Sequence, residues 1–226
     1  MEDITSIFLK HIEGQLSAIP WSEEGLNEET NTIKQELTLL NKKGWWTVAS
    51  QPAVNGIKST GRILFHLYIF SAHIFVDPIF GWGPKNGFVF QKAFVELFIP
   101  SSALKALLAK LESEDTAEMV SFYAANADGE FLSSDGATSA PSTNAVTWGA
   151  FPGKEIITPT IIEEVSFRAW AEEAFGIWAE WGRVYTGERG SKTRQVIEGV
   201  RNDVWLINVI HHGYVEKQAL WDLLLG

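Results

Sequence analysis

Few side chains in this sequence have both the type and the spacing that chemistry requires. His211 and His212 are adjacent, so on a strand they face opposite sides and cannot reach one metal ion. His66 and His73 can share a helix face, but no carboxylate accompanies them, which argues against a metal site. The segment "GWGPKNG" (Gly81–Gly87) suggests a phosphate loop, yet its third glycine comes one residue late and Pro84 sits inside it. It reads as a turn. The glutamate pairs Glu163–Glu164 and Glu172–Glu173 read as solvated faces. No nucleophile elbow, H-E-x-x-H or Walker sequence is present, and the absence of cysteine removes thiol nucleophiles and thiolate metal sites. What remains is a set of polar residues beside turns and large apolar residues: Glu29 and Thr30, Thr47 and Ser50, Thr147 beside Trp148. Taken alone, the first pair reads as a helix cap and the others as ordinary strand hydroxyls. Service as a ligand site requires that they converge across the fold.

The elements that must position them are legible in outline. Ile33, Leu37 and Leu40 recur at helical spacing, with Asn27, Thr30 or Asn31 as candidate caps and Lys42, Lys43 and Gly44 as a stop. "WWTVAS" (Trp45–Ser50) predicts a strand and "QPAVNG" (Gln51–Gly56) a loop. "GFVFQKAFVELFIP" predicts strand. "SSALKALLAKLESED" predicts an amphipathic helix capped by Ser101 or Ser102, with Leu104, Leu107, Leu108 and Leu111 in one stripe. "MVSFYAAN" (Met119–Asn126) predicts a strand, and the Asp-, Gly- and Ser-rich stretch from Ala127 to Thr143 a mobile loop. "NAVTWGAFPGKEIITPT" follows as strand, turn and a further extended piece. Ser166 should cap a long helix with Phe167, Trp170, Ala174, Trp178 and Trp181 inward and Glu172, Glu173 and Glu180 outward. "SKTRQVIEGVRND" predicts a shorter helix, "VWLINVI" a buried strand and "YVEKQALWDLLLG" a terminal helix. Strands and helices interleave without a regular repeat, which gives an α+β fold with mixed β-sheet and surrounding helices. No linker is visible, so residues 1–226 are expected to form a single domain.

Composition sets the class. The chain has 226 residues with 46% hydrophobic and 20% charged content, ordinary values for a globular protein. A formal net charge of −10 argues against nucleic acid as a partner, because phosphate binding needs a basic surface. Ten tryptophans and fourteen phenylalanines predict a core built on large rings. The N-terminal stretch "MEDITSIFLKHIEGQL" has acids where a secretory signal wants positive charge. A cytoplasmic, membrane-free protein is expected.

The run from Ile63 to Val76 carries no formal charge. A membrane-spanning helix needs about twenty apolar residues, and this run is shorter, holds two histidines and lacks basic flanks.

Several blocks carry a family resemblance. "PWSEEGLNEET", "SQPAVNG", "GWGPKNGFVFQKAFVELF" and above all "NAVTWGAFPGKEIITPT", continued by "EEAFGIWAEWGRVY" and "DVWLINVI", are similar to the C-terminal regulatory region of eukaryotic methylenetetrahydrofolate reductase. The similarity runs from about Ile7 onward. It implies a regulatory domain that binds S-adenosylmethionine or S-adenosylhomocysteine as allosteric ligand and contributes to a homodimer. It also implies a partner: the flavin- and nicotinamide-dependent catalytic barrel of the same family. A (β/α)₈ barrel takes about 250 residues, so this chain is expected to hold no flavin and to be inactive alone. Carried over motif by motif, the ligand contacts are Glu29, Thr30, Thr47, Ser50 and Thr147. The chemistry suits the ligand, whose ammonium and ribose diol want a carboxylate and whose carboxylate wants hydroxyl donors. A dimerisation or scaffold module that has lost sensing is the alternative. The family pattern runs from "NGIKST" straight to "DPIFGWGP", so residues 61–76 ("GRILFHLYIFSAHIFV") are expected to be a non-family insertion, a retained intron translated in frame.

Overall fold

A computed structural model describes residues 2–16, 26, 30–58, 75–77, 81–83, 88–117, 119–134, 145–146, 160–161, 164–184, 203–213 and 218–226, some of them by backbone alone. Helix α1 (Glu2–Ile12) opens the chain, and α2 (Lys34–Lys42) follows a 3₁₀ turn at Thr30–Ile33. Strands β1 (Trp46–Gln51), β2 (Val54–Lys58), β3 (Phe75–Asp77), β4 (Gly81–Gly83), β5 (Phe88–Gln91) and β6 (Phe94–Pro100) come next. Helices α3 (Ser101–Leu111) and α4 (Glu114–Ala117) lead to β7 (Val120–Asn126), β8 (Phe131–Ser133), β9 (Ala145–Val146) and β10 (Thr160–Ile161). The long α5 (Glu164–Val184), strand β11 (Val204–His211) and α6 (Ala219–Leu225) complete the order.

One five-stranded sheet, in the order β1–β6–β11–β7–β8, organises the rest. Every pairing among the described strands is antiparallel, so the α+β reading holds while the sheet is not mixed. Strand β11 lies in the middle and is buried at all positions. That is why "VWLINVI" shows no alternation: both faces of the strand are covered. On one face Val95, Leu97, Ile99, Ile207 and Val209 pack against Leu37 and Leu40 of α2, Leu104, Leu107 and Leu111 of α3, and Leu220, Trp221 and Leu224 of α6. On the other, Trp46, Phe98, Leu206 and Ile210 meet Phe8 of α1 and Phe167, Ala171, Ala174 and Phe175 of α5. The Phe98 and Phe175 rings meet edge-on at 5.2 Å, a favoured aromatic geometry. The result is a sheet sandwiched between two helical layers.

The expected serine and threonine caps are not used. α2 is entered through the 3₁₀ turn, with Ile33 at its N-cap and no capping side chain. α3 starts after Pro100, which holds the N-cap position and has no side-chain acceptor, and the Ser101 N–H donates to the Asp203 carbonyl at 2.9 Å. α5 begins at Glu164, which places Ser166 inside its first turn. The stop after α2 is as expected: Gly44 takes a φ of +79°, and its N–H reaches the Asn41 carbonyl at 2.9 Å, which satisfies an orphan acceptor of the last turn.

Other expectations shift in register. "QPAVNG" is not wholly loop, because β2 starts at Val54 and pairs with β5. The apolar run "GFVFQKAFVELFIP" divides into β5 and β6 at the buried Lys92–Ala93 step. The stretch after Ala127 makes a turn through Gly129, at φ +82°, into β8; residues 135–143 lie outside the described set. In α5 the buried stripe is Phe167, Ala171, Ala174 and Phe175, with Trp170 half-buried beside it and Glu172 and Glu173 outward. The side chains of Trp178, Glu180 and Trp181, most of the helix expected over "SKTRQVIEGVRND", and His66 and His73 lie outside the described residues. No helix among the described residues is long and apolar enough to cross a membrane.

Candidate functional site

Thr30, Thr47 and Ser50 are the three site residues that fall among the described side chains; Glu29 and Thr147 lie outside them. Thr30 opens the 3₁₀ turn and is 8% exposed. It stands in helical register with Ile33 and Leu37, both of which face the core layer under α2. Thr47 and Ser50 belong to β1. Three positions apart on a regular strand, they would face opposite sides. The register of β1 on β6 shifts between Thr47 and Ala49, however, so that Thr47 lies opposite Leu97 and Ser50 opposite Val95. Residues directly opposite in an antiparallel pair share a face, and Leu97 and Val95 both face the α2 layer. Thr47 faces the side on which Thr30 lies by ordinary alternation, and the β-bulge after it turns Ser50 to that side as well. No hydrogen bond joins the three to one another, so they share a layer without forming a closed cluster.

Thr47 is buried, 8% exposed, and its Oγ1 accepts a hydrogen bond from Asn41 Nδ2 at 3.0 Å. Asn41 is the penultimate residue of α2, so this bond pins the end of the helix to the strand that follows it. Ser50 is half-buried. Beyond it, Gln51 Nε2 donates to the Lys92 carbonyl at 2.9 Å, tying the end of β1 to the β5–β6 step. The Lys92 side chain is itself buried at 5% exposure, and burial pushes its ammonium down from the ordinary lysine range. Neither Asn41 nor Lys92 was singled out from the sequence. For Lys92 the signal was available, a lone cation inside an apolar strand run.

A second polar cluster lies on the opposite face. Glu96, 5% exposed at the centre of β6, accepts hydrogen bonds from Trp170 Nε1 at 2.7 Å and Asn208 Nδ2 at 3.3 Å. Burial pushes its carboxyl up, and the two hydrogen bonds only partly oppose this. Asn208 Oδ1 is buried without a partner. If the amide turns over, that oxygen accepts the proton of a neutral Glu96 carboxyl. This cluster ties α5 to the sheet and sits apart from the hydroxyl set.

Two grooves among the described residues lie elsewhere. One runs between α1 and the α2–β1 turn and is lined by Thr5, Lys10, Lys42 and Lys43. Another runs between the β7–β8 turn and α5. Neither holds a residue of the expected set. His211 is buried while His212 Nε2 lies 2.7 Å from Ser121 Oγ, so the two rings are separately engaged. No grouping of metal-ligating side chains occurs among the described residues.

Comparison with known proteins gives this layout a family. The model of the methylenetetrahydrofolate reductase SAM-binding regulatory domain matches residues 4–225. Methylenetetrahydrofolate reductase 2 of Schizosaccharomyces pombe is 46% identical over 224 residues, covering 98% of this chain and 31% of that protein. Methylenetetrahydrofolate reductase (NADH) 1 of Zea mays is 38% identical over 218 residues, 96% of this chain and 33% of that protein. Methylenetetrahydrofolate reductase 2 of Saccharomyces cerevisiae is 35% identical over 215 residues. The chain thus spans about a third of the length of these relatives. With nearly its whole length matched to one family model, the chain belongs to the SAM-binding regulatory domain family of the methylenetetrahydrofolate reductases.

Proposed function

We propose that this chain is the S-adenosylmethionine sensor of a methylenetetrahydrofolate reductase and that Glu29, Thr30, Thr47, Ser50 and Thr147 contact the ligand. The observation that best supports the reading is the bulge in β1, which brings Ser50 to the face that Thr47 shares with Thr30. A strand of hydroxyls without the bulge would divide them. The ligand's carboxylate takes hydroxyl donors and its ammonium or ribose diol takes the Glu29 carboxylate. Occupancy regulates the reductase by differential affinity: the ligand favours whichever arrangement of regulatory domain and catalytic barrel binds it better, and can shift the balance by no more than that difference. The working unit is a homodimer in the cytoplasm.

Calorimetric titration of the chain with S-adenosylmethionine tests this. The parent should bind, and Glu29→Ala should bind about tenfold or more weakly, since a charge-assisted hydrogen bond contributes roughly 1.5–3 kcal/mol. Equal affinity of variant and parent removes Glu29 from the site. No binding by the parent would favour the scaffold reading.

Residues 61–76 form part of the same proposal, as an insertion foreign to the family between Thr60 and Asp77. The run is apolar where the family pattern joins two polar flanks, and its last two residues, Phe75 and Val76, pair with Gly83 and Trp82 as part of β3. A chain lacking 61–76 should be more soluble and unfold at a higher temperature than the parent. Lower stability on deletion, or a peptide spanning "FHLYIFSAHIF" as the dominant species in native protein, counts against it.

A further inference from the structure

Asn41 is fully buried, at 0% exposure. Its Nδ2 donates to the Leu37 carbonyl at 2.8 Å and to Thr47 Oγ1 at 3.0 Å. A carbonyl oxygen can only accept, so the first contact fixes which end of the amide faces Leu37. Both N–H bonds of the amide are then used. Thr47 Oγ1 must be the acceptor in the second, and its own O–H must point away from Asn41. The Thr47 hydroxyl makes no other hydrogen bond among the described residues. Asn41 Oδ1, on the same buried side chain, also lacks a partner. A buried polar group left unsatisfied costs stability, and here a donor and an acceptor go unsatisfied side by side.

We propose that Asn41 is a positioning residue of the ligand site: it holds the Thr47 hydroxyl as acceptor toward α2, so that its proton is presented to an acceptor atom of the bound ligand. This rests on Thr47 being a ligand contact. The Thr47 side chain alone has free rotation about its C–O bond and could offer either a proton or a lone pair. With Asn41 in place the proton is directed away from α2. The site is then set to receive a ligand that presents an acceptor at this point, as a carboxylate does. The bulge after Thr47 brings Ser50 to the same face, and the bond from Asn41 orients the Thr47 hydroxyl on it.

The test is a double-mutant cycle on the 226-residue chain, read by calorimetric titration with S-adenosylmethionine alongside thermal unfolding of each protein. Thr47→Val and Asn41→Ala should each weaken binding about tenfold. The double variant should bind no more weakly than Thr47→Val alone, because Asn41 acts only through that hydroxyl. Thr47→Ser, which keeps the hydroxyl, should restore most of the affinity. Additive losses of about a hundredfold in the double variant, as expected of an Asn41 that acts on the site by a route other than Thr47, overturn the proposal. Unchanged binding by Asn41→Ala overturns it too. If Thr47→Val binds normally, the proposal falls while ligand binding by the domain stands; if the parent does not bind, both fall. Should the alanine variant not fold, the parent answers directly. Saturation with ligand should shift the Asn41 side-chain amide resonances and leave those of Asn126, at the end of β7, in place. Unmoved Asn41 resonances overturn the proposal.

Discussion

Trp46→Ala should lower the stability of the domain by about 3–5 kcal/mol, the usual cost of truncating a fully buried tryptophan. Trp46 is 0% exposed and opens β1 opposite Phe98. It belongs to the core layer shared by Phe8 of α1 and Phe167, Ala174 and Phe175 of α5, and its Nε1 donates to Thr5 Oγ1 at 3.2 Å. Truncation therefore opens a cavity beneath α1, takes away its hydrogen bond and loosens the start of the strand that carries Thr47 and Ser50. Small domains are stable by only about 5–15 kcal/mol, so the variant should unfold at a markedly lower urea concentration with an unchanged slope. Trp46→Phe keeps most of the ring contact and should lose far less, about 1 kcal/mol for the lost N–H bond. A Trp46→Ala midpoint equal to the parent's would mean that α1 does not depend on this ring.

Glu96 offers a test with the opposite dependence on charge. Its carboxyl is raised above the ordinary glutamate value of 4.5 by burial, so between that value and the raised one the folded chain holds a proton that the unfolded chain has lost. Stability then falls as pH rises through this window, since the folded state binds more protons there. Below the ordinary value both states are protonated at this group and its contribution is complete. Glu96→Gln keeps the shape and an acceptor for Trp170 Nε1 and cannot ionise, so it should match the parent near pH 4 and gain on it steadily toward neutral pH. Glu96→Ala instead leaves the indole N–H and the Asn208 amide without a partner around a cavity, and should cost about 3 kcal/mol. Urea unfolding of the three proteins across pH 4–8 separates these outcomes. A Gln variant that tracks the parent at every pH would show that the carboxyl titrates alike in folded and unfolded chains.

How much of this could be read from residues alone depends on the range of the forces involved. The strand at "WWTVAS", the helix before it and its glycine stop follow from local preferences, and each is present. The central place of "VWLINVI" follows from its unbroken apolar character. The bulge does not, because it is a property of the pairing of β1 with β6, and by alternation alone Thr47 and Ser50 would have been set on opposite faces. The same limit hid Asn41, whose importance arises only when the turn at Gly44 folds Thr47 back onto α2. The serine caps failed because the helix boundaries fall elsewhere: Pro100 takes the N-cap of α3, and α5 has begun by Glu164, ahead of Ser166. Glu96 and Lys92 did leave a trace, as charges inside "FVFQKAFVELFIP". Burial of either requires a partner, and the pattern predicts that such partners exist without naming Trp170 or Asn208. The hydroxyl set was drawn from motif resemblance; the residues by themselves gave only caps and strand hydroxyls.

The position of β11 between β6 and β7 has a consequence for how the domain comes into being. Its two neighbours are complete by Asn126, whereas β11 does not begin until Val204. During synthesis the sheet therefore waits with its middle missing. β6 and β7 each present an unsatisfied backbone edge flanked by apolar side chains, and exposed edges of this kind recruit foreign strands. The closing step joins segments far apart along the chain, and such long-range pairing slows folding. A nascent chain in that interval is at its most aggregation-prone, and any lesion that delays or removes β11 would act on yield long before it acted on ligand affinity.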